Sequence, residues 1–115
     1  MNYTRLNPIV RKDTENINLN LKKDGVPLDI TGSTIYFTVK TLDDKAENDE
    51  GALIQKTVTA HEDAVNGISI IALDTTDTDI PPAQYKYDIE FVDATGNVTT
   101  LAIGTVDFLR GVKEE

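Results

Sequence analysis

Gln84-Tyr85-Lys86-Tyr87-Asp88-Ile89-Glu90-Phe91 decides how this chain is read. Tyr85, Tyr87, Ile89 and Phe91 occupy every second position, with Gln84, Lys86, Asp88 and Glu90 between them. Successive side chains of a β-strand point to opposite faces, so this spacing gives one apolar face and one polar face. The same period recurs upstream. Ile17, Leu19 and Leu21 alternate with Asn18, Asn20 and Lys22, and Ile35, Phe37 and Val39 alternate with Thr34, Tyr36, Thr38 and Lys40. No segment carries the apolar stripe that a helix needs.

Turn signals punctuate these runs. Lys23-Asp24-Gly25, Asn66-Gly67 and Asp93-Ala94-Thr95-Gly96-Asn97 contain the residues that tolerate the positive φ of tight turns. Pro81-Pro82 cannot sit inside a paired central strand and marks a corner before Tyr85. A weaker strand is expected over 53–59, one that begins with Ile68, Ile70 and Ala72 after Asn66-Gly67, and an N-terminal one near 5–12. With the last strand, the count is about seven, at the spacing of a β-sandwich. The 15 threonines suit pleated surfaces. In the last strand Leu101 and Ile103 share one parity while Val106 and Phe108 share the other, so a bulge is expected at Gly104. The connection 74–80, rich in Thr and Asp, is expected to hold a short helical turn capped by Asp74 or Thr75.

Length and charge narrow the function. At 115 residues the chain fits a single domain, 1–115, with 1–11 as an N-terminal arm or edge strand and 110–115 as a charged tail. Its 11 Lys+Arg against 20 Asp+Glu leave a net charge of −9, which argues against nucleic acid, since phosphates need clustered cations. Without cysteine there is no disulfide, thiolate metal site or Cys nucleophile, and the single histidine, His61, rules out a site needing two imidazoles. The N-terminus has no apolar signal region, and the apolar stretch 68–73 is too short to span a bilayer, so a product of the cytoplasm with no membrane contact is expected.

Candidate chemistry is sparse. The acidic loop 43–50, with Asp43, Asp44, Glu47, Asp49 and Glu50, invites a divalent cation, but aligning Gly51 with the invariant glycine of an EF-hand puts Ala46 at a ligand position. A solvated loop is the better reading, and Asp74, Asp77 and Asp79 are read as turn caps. Ser33 and Ser69 are the only serines available to His61, and neither lies on a strained nucleophile elbow. No metal, cofactor or catalytic residue is assigned, and no enzyme is expected. Of the tyrosines, Tyr85 and Tyr87 belong to the apolar parity, one of them as a tyrosine-corner analogue bonding back to the preceding connection. Tyr36 lies on the parity opposite Phe37 and is the aromatic expected to meet solvent or a partner.

Taken in order, the segments form a recognisable series. Leu28-Asp29-Ile30-Thr31-Gly32-Ser33-Thr34-Ile35-Tyr36-Phe37-Thr38-Val39-Lys40 is followed by the acidic loop, Lys56-Thr57-Val58-Thr59, Gly67-Ile68-Ser69-Ile70 and Leu73-Asp74-Thr75. Then come Ile80-Pro81-Pro82-Ala83-Gln84-Tyr85-Lys86-Tyr87-Asp88-Ile89, Gly96-Asn97-Val98-Thr99-Thr100-Leu101 and Gly104-Thr105-Val106. Over roughly 12–109 the series resembles the immunoglobulin-like N-terminal domain of phage baseplate upper proteins and related virion proteins. The chain departs from that pattern at Ala83-Gln84, where a glycine is usual, and it ends at Glu115 where that domain is usually followed by others. The resemblance implies an immunoglobulin-like antiparallel β-sandwich and a non-enzymatic virion structural protein of tail, baseplate or head. Its expected partners are other virion proteins, in a homo-oligomer or a larger assembly, and its place is the virion. Pro8, Ile9, Val10 and Tyr36 are the expected contact residues, Pro8 because it keeps its segment out of a central strand. The alternative is a carbohydrate- or protein-binding module of a bacterial surface protein, with Tyr36 as its stacking face.

Overall fold

The computed structural model describes residues 2–45 and 51–111. Among them lie the strands β1 (Asn2–Arg5), β2 (Ile9–Val10), β3 (Glu15–Asn20), β4 (Lys22–Lys23), β5 (Val26–Pro27), β6 (Thr34–Thr41) and β7 (Ile54–Val58). A single turn of 3-10 helix (Ala64–Asn66) precedes β8 (Ile68–Leu73), β9 (Ala83–Val92) and β10 (Val98–Leu109). The larger sheet runs β1-β10-β9-β6-β7, with β2 also paired to β10; β3 and β8 form a second sheet, and β4 and β5 a small hairpin. The fold is all-β, as the alternation requires.

β9 is central because its pattern is the cleanest. Tyr85, Tyr87, Ile89 and Phe91 all point into the core, flanked by β6 on one side and β10 on the other. Phe37 and Tyr87 meet with ring centroids 6.0 Å apart, and Tyr85 meets Phe108 edge-on at 5.6 Å. Ile71 and Leu73 of β8 belong to the same cluster, with Ile17 and Leu19 of β3 packed against it, so both sheets share one apolar core. The Tyr85 hydroxyl donates to the Pro81 carbonyl across the corner, as a tyrosine corner does. Burial also pushes the Tyr85 phenol up from its ordinary pKa.

Three expectations need correction. The N-terminal strand is not continuous over 5–12: it divides into β1 and β2 around Leu6-Asn7-Pro8, and both pieces pair parallel to β10. The bulge lies at Leu101, between the rungs Thr100↔Glu90 and Ala102↔Ile89, and not at Gly104. Gly104 holds a regular rung, opposite Tyr87 on one side and Thr4 on the other, so no slack remains there for an extra residue. The inserted Leu101 packs on the core, whereas Ile103 is 40% exposed. In β8 the inward parity is Ser69, Ile71 and Leu73, while Ile68, Ile70 and Ala72 take the other face.

The turns follow side-chain chemistry. Asp24 and Gly25 both have positive φ (55° and 79°) between the paired residues Lys23 and Val26, which is the two-residue hairpin that Asp-Gly favours. Asp74 caps the following connection reciprocally: its carboxylate accepts from the Asp77 amide at 2.8 Å, and that of Asp77 accepts from the Asp74 amide at 2.9 Å.

Candidate functional site

The outward parity of β6 and β9 builds a polar face. Tyr36 is partly buried there, opposite Thr57 of β7 and Glu90 of β9. Next along the ladder Asp88 lies opposite Thr38, and Lys40 opposite Lys86. Two facing ammonium groups repel. The Lys86 ammonium is drawn aside to donate to the Asp44 carbonyl, while Lys40 is only 8% exposed. Burial pushes the Asp88 carboxyl above the usual carboxylate range, and the nearby Lys40 charge offsets this in part. The face therefore presents one aromatic ring among paired charges and threonines.

The other expected contact residues lie at the opposite sheet edge. Pro8 is exposed, Val10 is partly buried, and Ile9 is 2% exposed with its side chain in the core. The backbone of β2 pairs with Phe108 and Leu109 of β10, so the edge is held by main-chain bonds and one core side chain. Tyr36 and the 8–10 segment are thus separated by β9 and β10 and form no single patch.

What the sequence did not foretell is the convergence of its only histidine with its only two serines. His61 Nε2 lies 3.0 Å from both the Ser33 carbonyl and the Ser33 hydroxyl, and Nδ1 lies 2.9 Å from the Ser69 hydroxyl. A carbonyl only accepts, so Nε2 carries the hydrogen and donates to Ser33. Nδ1 then accepts from Ser69, and the Ser33 hydroxyl donates onward to the Ile30 carbonyl at 2.6 Å. Ser33 precedes β6 in the large sheet and Ser69 belongs to β8 in the small one, so the imidazole ties the two together. Ser69 is fully buried and Ser33 nearly so. The linear signal was only that these residues are few; separations of 28 and 8 residues match no motif.

The remaining acids serve turns and ion pairs. Asp29 accepts from both the amide and the hydroxyl of Thr31, with the hydroxyl the larger influence holding its carboxyl below the ordinary range. Asp93 is lowered likewise, first by the Thr95 hydroxyl and then by the Asn97 amide. Burial acts to raise Asp77, but the Asp74 amide and the Lys56 ammonium at 2.9 Å outweigh it and bring the carboxyl down. Arg11 pairs with Asp79 at 2.9 Å. Of the acidic loop 43–50, residues 46–50 fall outside the described structure; Asp43 is exposed and Asp44 partly buried. Among the described residues no group of three or more His, Cys, Asp or Glu is placed to hold a metal ion.

These features define an all-β domain whose polar side chains fasten turns, corners and the join between two sheets. The chain belongs to the BppU N-terminal domain family, the N-terminal domain of baseplate upper proteins, whose family model matches residues 11–100. That span runs from just after β2 into β10 and so takes in both sheets. Membership implies a structural protein of the phage baseplate, a virion component that associates with other virion proteins. No curated protein matches the chain. Among the described residues no helix is long and apolar enough to cross a membrane.

Proposed function

We propose that the chain is a non-enzymatic assembly component of a phage or prophage virion, folded as one immunoglobulin-like β-sandwich. The supporting observation is the family match over residues 11–100, which spans nearly all of the alternating strands. The strand pairing fits this reading: β1 and β2 run parallel to β10 at the edge of the larger sheet, and β3 pairs with β8 in the other. So does the tyrosine corner at the start of β9. Among the described residues there are ten strands; this reading takes β1 and β2 as one interrupted edge strand and the short β4–β5 hairpin as an excursion from the sandwich.

The hydrogen bonding of the two serines supports the non-enzymatic reading. A serine nucleophile must reach substrate while handing its proton to histidine. Ser69 hands its proton to Nδ1 but is fully buried, and the Ser33 hydroxyl proton goes to Ile30. Assembly would instead use sheet edges and the face around Tyr36, where main-chain bonds and modest side-chain contacts supply affinity. The charge of −9 keeps free subunits apart and favours partners with basic surfaces.

Mass spectrometry of purified particles from the source phage or induced prophage tests the reading. A stoichiometric copy number supports it, and absence of the polypeptide from particles overturns it. A second reading, a glycan-binding module, draws on Tyr36 lying between Thr57 and Glu90 on an open face. Glycan-array binding that Tyr36→Ala abolishes would favour that reading.

A further inference from the structure

The small sheet has an unfilled strand position beside β8. Asp63 and Ile68 exchange both main-chain bonds, each at 3.0 Å, on the side of β8 away from β3. In an antiparallel ladder alternate residues bond to alternate sides, so Ile70 and Ala72 direct their N–H and C=O groups the same way as Ile68. The Leu21 amide bond to the Gly67 carbonyl, 2.8 Å, fixes the other parity toward β3. Continuing the Asp63–Ile68 rung would pair His61 with Ile70. That rung is not formed: His61 turns to Ser33 and Ser69, and the 60–62 segment leaves β8. Among the described residues Ile70 and Ala72 have no main-chain partner on that side.

Beside that edge a groove of about 440 Å³ opens over the outer face of the small sheet, lined by Asn16, Ala60, His61, Glu62, Ile70 and Ala72. Edge and groove together supply the two requirements of strand addition, a free main-chain edge and a seat for alternate side chains. Glu62 is the charged residue of its lining, with no Lys or Arg beside it. A second copy of this chain would bring another net charge of −9 to an already acidic protein.

We propose that the β8 edge at Ile70 and Ala72 receives an extended basic segment of a neighbouring protein as an added strand, in a groove held open by His61. This rests on the reading of the chain as an assembly component and names the surface and the chemistry of one partner. His61 acts here as a positioning residue.

The test uses the full chain labelled with nitrogen-15 and two blocked peptides, one alternating valine with lysine, the other valine with glutamate. The lysine peptide is expected to slow amide exchange at Ile70 and Ala72 by about tenfold or more, and the glutamate peptide to leave both unchanged. Ala72→Pro deletes one edge donor and no main-chain hydrogen bond to β3, because its pair with Asn16 is a non-hydrogen-bonded one, so it should abolish the protection while the Ile17 and Leu19 amides stay protected. Glu62→Lys should weaken the lysine peptide and leave the fold intact. Protection appearing at Asn16, Asn18 and Asn20 on the β3 edge, protection on self-association alone, or none with either peptide would each overturn the inference. Detection of the chain in particles alongside such a result would leave the assembly reading standing, so the two failures are distinguishable.

Discussion

Gly67 offers a perturbation whose size follows from the coordinates. It closes the 3-10 turn with φ +74°, and a Cβ placed there would lie 2.4 Å from the Leu21 carbonyl oxygen and 2.7 Å from that of Leu28. Both obstacles are backbone, so neither can rotate away. An alanine in the left-handed region costs about 1–2 kcal/mol on its own. Relieving the clash also displaces the bonds Leu21 N–H to Gly67 O, 2.8 Å, and Leu28 N–H to Leu21 O, 3.0 Å, at about 1 kcal/mol each. Gly67→Ala should therefore lose about 3–4 kcal/mol, a large part of the stability of a domain this size. Gly25 is the internal control: its φ is +79° but nothing lies within 4 Å of the added Cβ, so Gly25→Ala should lose only about 1–2 kcal/mol. Urea unfolding followed by circular dichroism, with equal m-values, measures both. If Gly67→Ala proves no worse than Gly25→Ala, the close approach of the two carbonyls is refuted.

Tyr85→Phe removes the bond to Pro81 while keeping the ring, and because Pro81 is exposed its carbonyl can turn to water, so the loss should be about 1 kcal/mol by thermal or urea denaturation. The position of the bulge is tested by a pair: Ile103→Thr, 40% exposed, should change stability by no more than about 0.5 kcal/mol, whereas Val106→Ala, fully buried, should lose about 2 kcal/mol. A cost at Ile103 as large as that at Val106 would return the bulge to Gly104, which would turn both side chains inward. Asp88 has a raised carboxyl pKa in the folded chain, so its penalty is full above that value and vanishes below the reference of 3.8. Asp88→Asn should thus raise the melting temperature at neutral pH and lose that advantage as pH falls through 3.8; a variant destabilised at pH 7 would refute this. Asp77 is lowered, so its contribution is present above 3.8 and lost as pH drops through its folded value, and Asp77→Asn should melt lower at neutral pH.

The contrast between β9 and β8 explains what the sequence could and could not reveal. In β9 from Gln84 to Phe91 every inward residue is large and apolar and every outward one polar, so parity is unambiguous. In β8 isoleucines stand at 68, 70 and 71, which puts apolar residues in both phases; the deciding factor is the hydrogen bond that Ser69 makes to a histidine eight residues earlier. The bulge was misplaced for a related reason. Glycine is a cue for bulges that need positive φ, yet the extra residue here is Leu101, which the core rewards with apolar contact. The β9 pattern and the corner at Tyr85 were legible because they are local. The grouping of His61, Ser33 and Ser69 was not, because it depends on how two sheets meet. Tyr36 was placed correctly on the outer parity, but whether it engages a partner is a matter of surface chemistry that alternation does not encode.

The parallel pairing of β1 and β2 with β10 has a mechanical consequence. The first strand begins beside Ala102, and its continuation in β2 ends beside Leu109, where β10 also finishes. Tension applied at the two extremities would drag these neighbouring strands past one another along their length, so the rungs bear the load together. An unzipping geometry would break them one by one. The arrangement suits a structural domain that must stay folded when pulled along its strands.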